Sequence, residues 1–413
     1  MQATSPQEDL ISLCAEALLG ANPDPSGLQD NIVRRSGLDA AAAQQLIYDT
    51  VLTINRQLFP SLSKVELLLI EGCNMGCHYC FESSVLQSSH AQKRRMSPEV
   101  IRKGIDLLCD YGQPQDEIDV TLFGGEPTLN FDGIRFATEY AEAKSAQSGR
   151  SLRFNMTTNG LLVTGDMLEY IADHKIKILL SVDGLSATHD RYRIDKKGSG
   201  TFDRVIETLS RLKKRQPWMG VKMTVMPSEA GHLFENVLGL YELGANQFLI
   251  GNATGPHIRW SEEAMNTYAS QMRLVRDWYK SSKAPDVRIT ELDEEADEHA
   301  VFGCTAARNT IAIRANGEIS GCSRIATLEG QRTVGKLGDV DFGLYCLKSR
   351  MDMVSCERLV ANVSKSGMTG EYRAGCFAVN YEESRDLYRP SHTDYELRKR
   401  VADKTRTETD FGS

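Results

Sequence analysis

Three cysteines, Cys73, Cys77 and Cys80, stand in the stretch EGCNMGCHYCFE at 71–82. Their spacing is C-x3-C-x2-C, directly after the apolar run VELLLI. Clustered thiols just past a buried strand suit a soft metal or an iron–sulfur centre. Structural zinc wants four ligands, and His78 inside the motif is the available fourth. That reading makes the chain a zinc-organised interaction protein. A [4Fe–4S] cluster on three thiolates instead leaves one iron open to a small molecule.

The chain has 413 residues and ten cysteines. Cys14 and Cys109 lie in helical apolar patterns and read as small buried hydrophobes. Cys304, Cys322, Cys346, Cys356 and Cys376 form a second block. No secretion signal precedes them, so ligation fits better than a disulfide scaffold. The net charge of −8 argues against nucleic acid as a partner. No apolar run is long enough to span a bilayer, so no membrane partner and a cytoplasmic location are expected.

The elements that must position these residues alternate. Short β-rich runs fall at VELLLI (65–70), IDVTLF (118–123), SLRFNM (151–156), IKILLSV (176–182), VKMTVM (221–226) and NQFLIG (246–251). Helical patterns lie between them. Six strand–helix units predict a parallel sheet with helices outside, as an open sheet or an incomplete barrel. Loops leaving the strand C-termini then carry the chemistry. The cysteines, GGEP, TNG and DG follow the first four strands in turn. Residues 1–60 read as a helical extension or small domain, 61–290 as the repeating α/β region, 291–380 as a cysteine-rich domain and 381–413 as a polar tail. The stretch ELDEEADEHA reads as an acidic connector. Asn316-Gly317 marks a hairpin inside the second block.

CNMGCHYC, with Tyr79 before the last cysteine, resembles the radical SAM superfamily. LFGGEPTLN at 122–130 resembles its GGE motif. TTNG at 157–160, SVDG at 181–184 and HDRYR at 189–193 resemble the members that carry a SPASM or twitch domain. The resemblance covers about 64–380. It implies an α/β fold: a partial (β/α)6 TIM-like barrel with a C-terminal SPASM/twitch-like auxiliary cluster domain. It implies that Cys73, Cys77 and Cys80 hold a [4Fe–4S] cluster whose open iron binds S-adenosylmethionine. One electron then cleaves the sulfonium and gives a 5′-deoxyadenosyl radical, with an electron donor such as flavodoxin or ferredoxin as partner. Gly124 and Gly125 would let backbone approach the methionine part, Glu126 would accept from its ammonium, and Pro127 would fix the turn. Ser181 and Arg193 are candidates for the ribose or carboxylate end of the cofactor, and Asp183 for that site or for a loop cap. Asn159 and Gly160 serve either cofactor or structure. Tyr79 and Phe81 would pack near cluster or adenine.

CTAARNTIAIRANGEISGC at 304–322 has the C-x12-G-x4-C spacing that opens a SPASM or twitch domain. The later C-x2-C-x5-C-x3-C run of a full SPASM domain is incomplete. Gly343 and Asp352 take its first and third positions, and Cys346 and Cys356 its second and fourth. One auxiliary [4Fe–4S] cluster is expected, or two. In the second case Cys304, Cys322 and Cys356 would serve one site, and Cys346, Asp352 and Cys376 the other. The resemblance makes the substrate a ribosomally made precursor peptide with a leader sequence, and the reaction an oxidative C–C, C–S or C–O cross-link. Alternatives are small-molecule dehydrogenation, peptide epimerisation and formylglycine formation on a sulfatase. Sulfatase maturases carry an aspartate, thought to act as base, after the auxiliary cysteine. Here Ser323 follows Cys322.

Overall fold

A computed structural model of the chain describes residues 6–20, 23–81, 94–216, 218–255, 257–281, 286–293, 304–328, 334–366, 368 and 375–405. Residues 294–300 of the acidic connector and 406–413 of the tail lie outside the described residues. The chain forms two compact units. One draws on Met1–Gly72, Ser88–Phe154 and Thr305–Cys356, the other on Cys73–Gln87, Asn155–Cys304 and Glu357–Ser413.

The first unit opens with helices α1 (Pro6–Leu18), α2 (Pro25–Ser36) and α3 (Ala40–Leu58). Asp24 and Asp39 cap α2 and α3, accepting from the N–H groups of Gly27 and Ala42. Their apolar faces pack Cys14, Leu18, Ile32, Ile47 and Val51 together with Phe342 and Tyr345. Cys14 is thus a core residue, as its helical pattern predicts.

Strand β1 (Lys64–Leu68) is followed by the short strands β2 (Ile70–Glu71) and β3 (Arg94–Arg95), helix α4 (Pro98–Tyr111), strand β4 (Ile118–Phe123) and helix α5 (Phe131–Ser148). β1 runs parallel to β4. A Cβ on Gly104 of α4 would meet Leu67 and Ile313 side chains, so these face the helix. Alternation turns Glu66 and Ala312 to the opposite face.

The second unit carries parallel strands β5 (Leu152–Thr158), β6 (Lys177–Ser181), β7 (Gly220–Val225), β8 (Gln247–Asn252) and β9 (Arg288–Ile289) in sequential order. Helices α6 (Gly165–Asp173), α7 (Ser186–Tyr192), α8 (Phe202–Lys213), α9 (Leu233–Glu242) and α10 (Glu262–Lys280) alternate with them. All six expected strands are present.

The cysteine-rich segment does not stand apart from the first unit's sheet. Its strands β10 (Thr310–Ile313), β11 (Glu318–Ser320) and β12 (Lys336–Asp339) extend that sheet, with β10 parallel to β1. The expected hairpin turns at Gly317 (φ 87°), whose N–H bonds Arg314 O at 2.9 Å. Helix α11 (Leu347–Ser355) follows, then α12 (Glu357–Lys365), α13 (Phe377–Ser384) and α14 (His392–Thr405). α14 lies inside the stretch expected to be a polar tail. Arg400 Nη1 donates to Asn266 Oδ1 of α10 at 2.8 Å. Among the described residues no helix is long and apolar enough to cross a membrane.

One buried cation ties the first unit together. Arg350 of α11 is 1% exposed. Its Nε donates to Ala307 O at 3.0 Å, Nη1 to Asn55 Oδ1 at 2.6 Å and Nη2 to Pro60 O at 3.0 Å. Its guanidinium lies 4.6 Å from the Phe59 ring centroid. It joins the end of α3 to the turn before β10. Arg350→Met keeps the bulk and strands these acceptors. We expect a loss of about 3 kcal/mol or more of stability, read as a lower urea midpoint.

Candidate active site

The cysteine loop is held by its backbone. Met75 bridges Asp195, Gly76 N–H donates to Ile194 O at 2.9 Å, and His78 N–H donates to Tyr192 O at 3.1 Å. Cys73, Cys77 and Cys80 lie half-buried on this loop, outside any helix or strand. Asn159 Nδ2 donates to Cys73 Sγ at 3.8 Å and to Asn74 Oδ1 at 2.8 Å. Met75 N–H also points to Cys73 Sγ, at 3.4 Å. Asn159 leaves the end of β5 and so brings the TTNG turn to the first cysteine.

A side-chain network fixes the same loop. Tyr79 Oη donates to Asp183 Oδ2 and accepts from Arg193 Nη1 at 2.6 Å. Asp183 Oδ1 accepts from Thr224 N–H at 2.9 Å, and Arg193 Nη1 stands 3.8 Å from it. Burial pushes the Tyr79 phenol well up, and it remains a donor. Burial also raises the Asp183 carboxyl, opposed by Arg193, by the Tyr79 hydroxyl and by Thr224 N–H. Burial raises the Cys77 thiol, against the pull of Arg193. Arg193 is itself buried, and its Nε has no partner. Ser181 is buried at the end of β6. Gly160 has φ 77°, and a Cβ there would stand 2.6 Å from Leu180. Its need is structural.

His189, quoted only as part of HDRYR, proves to be a support. It is fully buried, and burial drops its pKa from 6.5 to about 3. Nδ1 accepts from Asp183 N–H at 3.4 Å. Thr201 Oγ1 donates to Arg193 O at 2.9 Å, so at 3.0 Å it accepts from His189 Nε2–H. A neutral His189 thus holds both Asp183 and Arg193. Sequence patterns carry no signal for Thr201, which lies beyond the motif.

In the first unit the GGEP turn lies against the strand that leads to the cysteines. Gly124 has φ 124°, and a Cβ would stand 2.6 Å from Ile70 O. The close approach expected toward a cofactor is here made to the chain's own backbone. Gly125 N–H bonds Ile70 O, and Glu126 N–H bonds Gly72 O, each at 3.0 Å. Gly72 directly precedes Cys73. Glu126 is 1% exposed, and its Oε1 accepts from Thr128 N–H at 3.1 Å and Thr128 Oγ1 at 2.5 Å. Pro127 opens the short 3-10 turn that this carboxylate caps.

The auxiliary cysteines separate. Gly321 packs against Ala307 and the Met353 sulfur, and Cys356 Sγ donates to Met353 O at 3.2 Å. The turn carrying Cys322 and the helix end carrying Cys356 therefore meet at Met353. Cys304 directly precedes the turn whose Ala307 N–H bonds Gly321 O at 3.3 Å. Cys346 does not join them. It packs against the apolar core of α1–α3, where burial pushes its thiol up to about 11. Cys346 and Cys356 bracket a nine-residue helix and stand about 15 Å apart along its axis. Asp352, which the sequence groups with Cys346 and Cys376 as a second ligand set, lies on this helix between the two cysteines. Cys376, the third member of that set, is the half-buried residue before α13.

Among the described residues no three His, Cys, Asp or Glu side chains converge on a single ion. His78, the alternative zinc ligand, is exposed with its ring edge-on to Tyr192. Three soft thiols on one loop, with N–H groups aimed at one sulfur, are the donor chemistry that an iron–sulfur cluster takes. The unpartnered, cationic Nε of Arg193 suits an acidic group of a cofactor. The residues present fit a cluster with S-adenosylmethionine.

Two outcomes follow from this geometry. The unfolded chain binds a proton on His189 below about pH 6.5, and the folded chain binds it only near pH 3. Stability from His189 is complete above pH 6.5 and is lost as pH falls. His189→Gln keeps a donor to Thr201 without titrating. It should remove about 2 kcal/mol of the stability loss between pH 6.5 and pH 5, measured by urea midpoints. Asn159→Ala removes an N–H bond to sulfur. The midpoint potential of the reconstituted primary cluster, followed by electron paramagnetic resonance, should then move to a more negative value.

Residues 67–240 match the Radical SAM superfamily model. The radical SAM cyclopropyl synthase TigE of Paramaledivibacter caminithermalis is 25% identical over 186 residues, 42% of this chain and 38% of that protein. A serine-type anaerobic sulfatase-maturating enzyme of Bacteroides thetaiotaomicron is 30% identical over 148 residues, 34% of each protein. The chain thus matches little more than a third of these relatives' own length. The solved structure of native anSMEcpe with bound AdoMet and Cp18Cys peptide superposes with a TM-score of 0.65 at 17% identity, over 83% of this chain and 97% of that one. Residues 67–240 are therefore similar to the radical SAM domain, and the chain has the partial (β/α)-barrel fold with a C-terminal cysteine-containing auxiliary domain.

Proposed function

We propose that the chain is a radical SAM enzyme that oxidatively modifies a side chain of a peptide or protein. The observation that carries this reading is the cysteine loop at 73–80, pinned by Tyr79, Asp183 and Arg193 and lying inside the matched domain. When bound, the cluster and S-adenosylmethionine supply a 5′-deoxyadenosyl radical that takes one hydrogen atom from the substrate. Cys73, Cys77 and Cys80 hold the cluster, and Asn159 and Met75 N–H steady the Cys73 sulfur. Arg193 Nε takes an acidic group of the cofactor. In the first unit, Glu126 is held by Thr128.

The substrate's second hydrogen leaves as a proton and an electron. Glu66 is the carboxylate we assign to accept the proton. It projects from β1 on the face away from α4, and its Oε2 accepts from Ser323 N–H at 2.7 Å, next to Cys322. Cys322 and Cys356, whose segments meet at Met353, would be ligands of an auxiliary iron–sulfur cluster, which would supply an electron acceptor.

Two finer readings differ in the bond formed. Oxidation of a serine or cysteine to formylglycine draws support from the sulfatase-maturating relatives, and the comparisons favour it over the cross-link expected from sequence. Ser323 in place of an aspartate counts against it, and Glu66 beside Ser323 offsets that objection. Cross-linking draws support from the cyclopropyl synthase relative. The test is mass spectrometry of two peptides incubated with the reduced enzyme: a candidate precursor, and a serine- or cysteine-bearing sulfatase fragment. Either oxidation lowers the mass, by about 2 Da for a cross-link or for serine. Only formylglycine reacts with a hydrazide. An unchanged mass in both, with turnover of a free sugar or amino acid, would overturn the peptide reading. Glu66→Gln should lower product about 100-fold while 5′-deoxyadenosine still forms.

A further inference from the structure

A cavity of about 520 Å³ opens beside the C-terminal end of α4, away from any residue assigned above. Arg56, Arg150, Cys109, Gln113 and Ser148 are among its lining residues, and no carboxylate is. Cys109, expected to be an ordinary buried hydrophobe, instead borders this space.

Arg150 is 7% exposed. Its Nε donates to Asp116 O at 2.9 Å and its Nη1 to Cys109 O at 3.4 Å. Its Nη2 is buried and has no partner. Among the described residues no carboxylate pairs with it. The nearby acids are already engaged: Asp106 pairs with Arg102 and Lys144, and Asp110 accepts from Tyr48. A buried cation without a counter-charge is costly.

Capping of α4 explains part of this arrangement. Arg150 Nη1 satisfies Cys109 O, and Arg56 donates through Nε and Nη2 to Asp110 O at 3.1 and 2.6 Å. These bonds also answer the negative end of the helix dipole. They leave Arg150 Nη2 without a partner. Gly112 packs closely against this arginine: a Cβ there would stand 2.7 Å from Arg150 Nη2, 2.9 Å from Leu62 O and 3.0 Å from Leu108 O.

We propose that this cavity binds a small oxyanion, a carboxylate or a phosphate, between Arg150 Nη2 and Arg56. Guanidinium groups match the oxygens of both. The source is either free phosphate or an acidic side chain of a peptide.

The test is isothermal titration calorimetry of the full chain with inorganic phosphate and, separately, with acetyl-glutamate amide, against chloride at matched ionic strength. One saturable site is expected for at least one probe. Arg56 is exposed, so Arg56→Gln should fold, and it should weaken that site at least tenfold. Arg150→Lys should weaken it further where the variant folds. Binding of phosphate alone supports a free-phosphate site, and tighter binding of the glutamate probe supports a peptide side chain. The absence of saturable binding with both probes, or binding unchanged in Arg56→Gln, would overturn the proposal.

Discussion

The site depends on a buried contact between a cation, a phenol and a carboxylate. Arg193, Tyr79 and Asp183 come from three separate places in the sequence. A nine-residue loop with two glycines and no regular structure would otherwise sample many conformations. The contact fixes Tyr79, and with it Cys77 and Cys80 on either side. Its geometry is fixed in turn by a neutral His189 and by the N–H of Thr224 on β7. The strand C-termini thus act on the thiols through one polar chain, not through direct ligation.

A second consequence concerns the GGE turn. Its glycine serves the chain's own backbone at Ile70, and Glu126 is held by Thr128. The turn and the residue before Cys73 are joined by a backbone hydrogen bond. The motif therefore shapes the entry to the cysteine loop as well as offering a carboxylate. On the auxiliary side, the hairpin pairs with β1, and Glu66 reaches from that strand to Ser323. The residue after Cys322 is thus held by a carboxylate distant in sequence.

Much of the fold was legible because its signals are local. Apolar runs marked all six strands, and Asn316-Gly317 marked the hairpin. The pairing of β10 with β1 was not legible, because it joins residues some 250 positions apart. Arg350 and His189 gave no signal, since their partners are mostly backbone atoms or lie outside any motif. Cys346 shows the limit of spacing. It stands at a ligand position of the resembled run, yet its sulfur faces the core of α1–α3. Only packing distinguishes a ligand from a small hydrophobe there. Helix α14 was hidden by polar composition. Its place comes from polar contacts with α10 and from the buried Tyr395 and Leu397.

The central claim is that the pinned loop at 73–80 supports reductive cleavage of S-adenosylmethionine. The direct measurement is chromatography for 5′-deoxyadenosine after anaerobic reconstitution and reduction with dithionite. The wild-type chain should form it, and Cys77→Ala should form none while keeping the wild-type circular dichroism. Equal formation of 5′-deoxyadenosine by Cys77→Ala would contradict the account.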